Sequence, residues 1–463
     1  MRRWALALTG VSFFMVTLDA LVVITALPAV GRNLGAGIST LEWTVNAYTL
    51  TCAAGIITAA ALGDRYGRRR LFATGLGLFT AASAACALAP TAGLLIAARA
   101  VQGLGAAVIM PLSLTILTKA FPPSSRGAIV GIWGGIAGLG VASGPLIGGT
   151  VVQGLDWHWI FWLNVPIGVA ATLLARVRLV ESYGPDTRLD LPAVAMISLG
   201  AVAVIWALVR ASDVGLGATL EVLGIGVALI GGFLAWERRA VAPMLPLRLF
   251  RSRSFRAANA TAFLMTSALF AAAFLTAQYF QLVLGNSPLD TGLRLLPWTA
   301  TPLLIAPAAG ALSDRVGPRP VLATGMALQA VGLGWFGALA TVHSGYGRLV
   351  LPLLVAGVGV SMALPTTAAA ALSAVPPADL GKAAGTANTL QRFGSAFGVA
   401  AATSVFAAYG GLGTPASFAA GFRPALTLAA GLSAVGAVTA LAVRRRSTVS
   451  VAMPAREVVL SAK

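Results

Sequence analysis

At 463 residues, 58% hydrophobic and only 10% charged, against about 25% charged in soluble globular chains, this chain carries more apolar surface than a water-soluble fold can bury. The formal charge of +18 comes from short punctuating clusters with no aromatic-interleaved basic patch and no nucleic-acid motif, which excludes a nucleic-acid partner. Cys52 and Cys86 both fall inside apolar runs, so no disulfide framework is expected.

Apolar stretches of about 20 residues mark membrane spans, and fourteen are predicted in chain order. The first, near 6–30, follows Arg2 and Arg3 and has the outline of a secretory leader. It is too long for one and no small-residue cleavage site follows, so it is read as the first spanning helix. Asp19 lies near its middle, where an ionised carboxylate costs about 2.5–3.5 kcal/mol on insertion scales. Such a group faces a wet cavity, pairs with a cation or is protonated; any of these makes it a candidate to exchange a proton, and the alternative is a helix-to-helix bond. The second span, near 42–63, carries Asn46 and Tyr48 and ends in ALGDRYGRRR, from Ala61 to Arg70. Glu42 and Glu221 fall close to span ends, leaving Asp19 as the one acid placed deep in the membrane.

A third span is expected near 71–90 and a fourth near 92–118. The fourth holds Arg99, a guanidinium able to neutralise a buried carboxylate or to bond helix carbonyls, with Gln102 sharing its face. The fifth, near 127–153, has Gly140, Gly144 and Gly148 at the four-residue spacing that lets two helices touch backbone to backbone; Gly149 follows, and Pro145 permits a bend. A sixth, near 159–177, follows DWHWIFW, whose tryptophans, like Tyr279 later, suit a belt at a membrane boundary.

Spans near 191–209 and 216–236 come next, then six more near 257–283, 293–313, 319–341, 349–374, 381–409 and 421–443. Between the second and third of this last set stands ALSDRVGPRP, Ala311 to Pro320, repeating the earlier phrase at an offset of 250 positions. Asp64 matches Asp314, Arg65 matches Arg315, and Gly67 matches Gly317. A glycine permits the turn between helices and arginines favour a cytoplasmic face. The repeat implies a duplicated six-helix unit, with the spans at 191–209 and 216–236 inserted between the copies. The expected fold is all-α: residues 1–180 as one bundle, 181–256 as a linker with the two extra helices, 257–446 as a second bundle, and 447–463 as a cytoplasmic tail. With both termini inside, 25 of the 32 basic residues fall at the cytoplasmic face and five outside, as the positive-inside rule requires.

These motifs together resemble the major facilitator superfamily, and within it the fourteen-spanner drug:proton antiporter branch. ALGDRYGRRR is similar to the superfamily loop G-x-L-x-D-R-x-G-R-[RK], with Ala60 for the first glycine; the second copy keeps it as Gly310. RAVQGLGAA, from Arg99, looks like the fourth-helix motif, and GLGVASGPLIGG, ending at Gly149, like the fifth-helix antiporter motif. LDALVVITALP is similar to the branch's first-helix motif, with Leu21 and Ile24 in place of its threonine and asparagine.

The resemblance implies proton coupling through Asp19 and Arg99, and a latch of Asp64, Arg65, Arg68, Asp314 and Arg315 that joins the bundles in the outward-open state. It implies export of a small lipophilic substrate by a monomer in the plasma membrane, driven by the proton gradient without a cofactor. Asn46, Tyr48, Gln102, Trp133, Gln278, Gln281, Asn388 and Gln391 are candidates to line the substrate cavity, or else to bond helices together. No Walker loop, metal-ligand spacing or nucleophile elbow is found, so ATP drive and enzymatic chemistry are not expected. An importer of the same fold, or a channel or receptor, stands as the alternative reading.

Overall fold

A computed structural model describes residues 2–122, 126–184, 190–240, 247–376 and 380–444. The expected tail at 447–463 lies outside them, as do Arg188, Arg445 and Arg446. The described residues form helices joined by short connections, with no strand among them.

The first half of the chain forms α1 (Arg2–Leu34), α2 (Ile38–Tyr66), α3 (Arg68–Ala87), α4 (Ala92–Ala120), α5 (Arg126–Gly154), the single turn α6 (Trp159–Trp162) and α7 (Asn164–Arg178). A long helix, α8 (Leu191–Arg239), is broken at Gly215, whose φ of 82° is not helical. The second half forms α9 (Arg253–Gln278), extended by a π-helical turn Tyr279–Val283, then α10 (Pro288–Thr299), α11 (Thr301–Val316), α12 (Pro318–Leu339), α13 (Tyr346–Ser373), α14 (Leu380–Tyr409) and α15 (Pro415–Ala440). Ten described helices are long and apolar enough to cross a bilayer, or eleven if α2, bent by 49°, is one span; the sequence led us to expect fourteen.

The two copies of the charged phrase sit at equivalent turns, α2 to α3 and α11 to α12. Gly67 and Gly317 take φ of 106° and 88°, a region open to glycine and strained for other residues. The helix starts that follow are solved differently. α3 has no capping side chain of its own, and the Glu181 carboxylate accepts from the backbone N–H groups of Arg69 at 2.9 Å and Arg70 at 3.2 Å. That places negative charge on a helix N-terminus, where the unpaired N–H groups favour it. α12 opens with Pro318 and Pro320, which carry no N–H and so reduce the need for such an acceptor.

Helices pack most heavily within each half: α2 with α4, α3 with α4, α9 with α14, α12 with α13 and α12 with α15. Several of these contacts are backbone on backbone. A Cβ on Gly398 of α14 would lie 2.0 Å from the Ser267 carbonyl oxygen of α9, so Gly398→Ala must push two helices apart. Overpacking of this kind costs about 1–3 kcal/mol, and the variant is expected to melt at a clearly lower temperature than the parent in detergent.

Call the end of the molecule with the α1–α2 turn the Gly35 end, and the other, with the α2–α3 turn, the Gly67 end. At the Gly35 end one hydrophobic core runs through both halves, joining Leu27, Leu41 and Phe161 to Phe274, Trp298 and Phe336. At the Gly67 end the core is divided: one cluster draws only on residues 5–179, the other only on residues 249–443. Among the described residues, the buried core therefore bridges the two halves at the Gly35 end and falls into one cluster per half at the Gly67 end.

Candidate functional site

Asp19 and Arg99, 80 positions apart, meet where α1 crosses α4. Arg99 Nη1 donates to Asp19 Oδ2 at 2.5 Å, and both side chains are fully shielded from solvent. An ion pair without water needs its remaining lone pairs and protons satisfied, and most of them are. Asp19 Oδ1 accepts from Gln102 Nε2 at 2.9 Å and from Asn164 Nδ2 at 3.0 Å. Gln102 Oε1 accepts from Arg99 Nη1 at 2.6 Å, and Ser83 Oγ takes the second Gln102 amide proton at 2.7 Å.

Arg99 Nε donates to the Thr44 carbonyl at 3.1 Å, which ties the pair to α2. The guanidinium also stands 4.2 Å from the Tyr48 ring centre and 5.8 Å from that of Phe161, a cation–π arrangement strengthened by desolvation. One group is left over: Arg99 Nη2 is buried without a partner. The ion pair and the polar side chains bonded to it come entirely from the first half of the chain. Asn164 and Ser83 are parts of this network that sequence reasoning did not find.

The other candidates distribute differently. Tyr48 donates its hydroxyl to the Val16 carbonyl. Trp133 bonds Ser113 Oγ at 3.1 Å and stacks on Phe13. Gln278 bonds within its own helix, whereas Gln281, carried by the π-helical turn, reaches across to the Thr25 carbonyl of α1 at 2.8 Å. Asn388 and Gln391 are half-buried on α14. An apolar cavity, with about 600 Å³ of empty space including its opening, lies where α2, α8 and α14 meet; Ala53, Ile197, Phe233, Thr389 and Phe393 line it. None of the eight candidates lines that cavity. Tyr279 is no belt residue: it is fully buried, stacked on Phe422 and bonded to the Thr341 carbonyl at 2.7 Å.

In the first charged phrase, Asp64 pairs with Arg68 at 2.6 Å and its carbonyl accepts from Gly184 N–H. Arg68 N–H donates to Ser182 O, and Lys119 reaches the Tyr183 carbonyl at 3.0 Å. Each of these partners belongs to the first half. Arg65 lies over the ring of Tyr66; Asp314 and Arg315 are exposed.

The fifth-helix glycines divide by partner. A Cβ on Gly140, Gly144 or Gly148 would strike Thr17, Leu21 or Val22 of α1 at 2.9, 2.8 and 2.9 Å, so this stripe seats α1. Gly149 instead seats α10 of the other half, 2.3 Å from the Pro288 carbonyl oxygen by the same measure. Gly292 returns the contact, 2.4 Å from the carbonyl oxygen of Pro145.

A second buried acid emerges at the Gly35 end. Glu42, only 1% exposed, accepts from Asn46 Nδ2 at 3.0 Å, and its Oε2 is hydrogen-bonded to Thr403 Oγ1 of α14. The sequence placed Glu42 close to a span end. α2 begins at Ile38 instead, and the additional turn carries Glu42 under the surface. Among the described residues, no group of three His, Cys, Asp or Glu side chains is placed to hold a metal ion.

Comparison with known proteins agrees with this fold. The family model described as Major Facilitator Superfamily matches residues 9–304 and again 262–458. The chain is 35% identical over 405 residues to the multidrug resistance protein Stp of Mycobacterium tuberculosis, covering 87% of this chain and 75% of that one. It is 33% identical to the tetracenomycin C resistance and export protein of Streptomyces glaucescens (86% and 75% covered), and 33% identical to the methylenomycin A resistance protein of Streptomyces coelicolor (84% and 82%). Among solved structures it is similar to a D-xylose-proton symporter, with TM-score 0.67 at 15% identity over 94% of this chain and 96% of the other. A POT family transporter aligns with TM-score 0.70 at 17% identity, covering 94% of each. The chain belongs to the Major Facilitator Superfamily: it is an integral membrane transporter of small molecules, not an enzyme.

Proposed function

We propose that this member of the superfamily is a proton-driven exporter of small lipophilic compounds, working by alternating access between two six-helix bundles. The observation that carries the reading is the sealed Asp19–Arg99 pair with its Gln102, Asn164 and Ser83 partners. A titratable acid held this deep is a functional site by default in a membrane protein. Neutralising Asp19 removes the charge that holds Arg99. The guanidinium, with Nη2 already unpaired, then turns to other acceptors, and the α1–α4 contact changes with it. Protonation is thereby tied to conformation. The names of the relatives, which refer to multidrug, tetracenomycin C and methylenomycin A resistance, favour export of drug-like compounds.

The two bundles are residues 1–180 and 257–446, with α8 as the two inserted spans. α5, α14 and the short apolar helix Pro192–Ala207 bring the eleven spans to fourteen. An even number puts both termini on one face, and the basic clusters make that face the cytoplasmic side of the plasma membrane. The Gly35 end is then external, and the arrangement described is closed to the outside and parted towards the cytoplasm. In that state Asp64 turns to Arg68 within the first half. The gradient supplies the energy, no cofactor takes part, and one chain suffices. Export should stop when a protonophore collapses the gradient and persist when ATP alone is depleted; export indifferent to the protonophore sinks the reading.

A further inference from the structure

The Asp19–Arg99 pair lies wholly inside the first half, so it makes no direct bond across the seam that opens and closes. Glu42 does. Its Oε2 meets Thr403 Oγ1, 361 positions away on α14, in a site shielded from solvent. Among the described residues no arginine, lysine or histidine bonds to Glu42, whereas Asp19, Asp64 and Glu181 all have cations.

Among the described side chains, which do not include Arg210 and Asp213 of α8 or Lys382 of α14, the charges on helices packed against α2 are otherwise engaged or distant. Asp19 and Arg99 hold each other, and Arg392 of α14, about three turns from Thr403, directs Nη2 to Met110 Sδ. Arg32 of α1 and Glu221 of α8 are exposed. Arg2 and Arg3 of α1, Arg68 to Arg70 of α3, Lys119 of α4, and Glu237 to Arg239 of α8 belong to the Gly67 end.

The bonding fits a neutral acid. A hydroxyl has one proton, and Thr403 Oγ1 also lies 2.8 Å from the Val399 carbonyl and 3.1 Å from that of Ala400. If Glu42 carries a proton, it donates to Thr403, and Thr403 donates onward to its own helix; the chain is complete and no net charge is buried. If Glu42 is ionised, the closed seam holds a carboxylate with one amide and one hydroxyl for company. Burying an ion without a counter-charge is far more costly than burying a bonded neutral group. Opening the seam to water relieves that cost. Asn46 Oδ1, buried without a partner, offers a second acceptor for the same proton once its amide is turned over.

We propose that Glu42 is a proton-dependent clamp: a proton taken from water at the Gly35 end neutralises it, and the neutral acid holds α2 to α14 and keeps that end shut. The clamp rests on the reading of the protein as a proton-coupled carrier, because closing the outer end is the step an incoming proton must drive for export to recur.

The test is a spin-label distance across the Gly35 end, with labels at Arg32→Cys and Tyr409→Cys of the full chain in lipid nanodiscs, without substrate, as pH is raised. The native Cys52 and Cys86 are buried, so labelling goes to the introduced pair. The short-distance population is expected to dominate at low pH and to fall as pH rises. Glu42→Gln, which cannot ionise, should lose the shift and stay closed at both extremes. Thr403→Val should open at low pH, while Thr403→Ser behaves as the parent; a merely structural pair would not move in opposite directions. An unshifted parent, an unchanged shift in Glu42→Gln, or a Thr403→Val that stays closed overturns the clamp. Because no substrate is present, a pH shift in a protein that releases no protons in vesicles keeps the clamp and overturns the exporter reading. Proton release without the shift does the reverse.

Discussion

Replacing Asp19 with asparagine is expected to abolish proton exchange and to lower stability together, while adding Arg99→Met restores the stability alone. Asparagine keeps an oxygen to accept from Gln102 and Asn164, whose amides reach Asp19 Oδ1 at 2.9 and 3.0 Å. What it removes is the charge opposite Arg99, leaving a guanidinium in a site with no solvent access. Breaking one side of a buried pair costs about 3–5 kcal/mol, and replacing both sides with packed neutral groups is often close to neutral. Thermal melting of the single and double variants should therefore differ by most of that amount. Neither should exchange protons, since neither has the acid. A double variant that regains exchange would place the coupling group elsewhere, with Glu42 the next acid to examine.

The second large effect is expected at the seam between the halves. A side chain at Gly149 meets the Pro288 carbonyl at 2.3 Å from its first atom, and both partners are main chain, so neither can rotate aside. Gly149→Leu should fold, because the clash exists only while α5 and α10 are in contact. It should be unable to close the Gly35 end. A clash of about 1–3 kcal/mol shifts a two-state balance by roughly 5–150-fold, enough to stop a cycle that must visit both states. Gln281, 8% exposed in the closed arrangement, reports this directly: a cysteine placed there should be shielded from a membrane-impermeant thiol reagent in the parent and readily labelled in Gly149→Leu. Gly398 makes the contrast, since its close approach to Ser267 lies within one half; substitution there should cost melting temperature in either state.

The helices and the central pair were legible because their physics is local. Long apolar runs announce spans, and an acid and an arginine deep in such runs must each find a partner, so Asp19 and Arg99 pointed to one another before any geometry was known. Asn164 and Ser83 were not legible: uncharged polar residues are common in spanning helices, and what singles these out is that α7 and α3 deliver them to the same carboxylate. Glu42 was passed over through a boundary placed one turn too late. Tyr279 was misplaced although its span was bounded correctly: an aromatic near a span end reads as a belt residue, and only the packing shows its ring turned into the core against Phe422. Glu181 depends on a contact 112 positions long and leaves no mark in its own neighbourhood. The repeat of the charged phrase was visible as a pattern. That its copies begin their following helices by different means, a carboxylate at one and prolines at the other, follows only once both turns are seen.

The most direct test of the central claim is proton release from acid-loaded inside-out vesicles containing the protein, on addition of cationic and neutral lipophilic antibiotics. The account predicts that a transported compound drives protons out of the lumen of vesicles carrying the parent protein, and that Asp19→Asn abolishes the response. A compound that accumulates in the vesicles with no proton release, or release undiminished in Asp19→Asn, would contradict it.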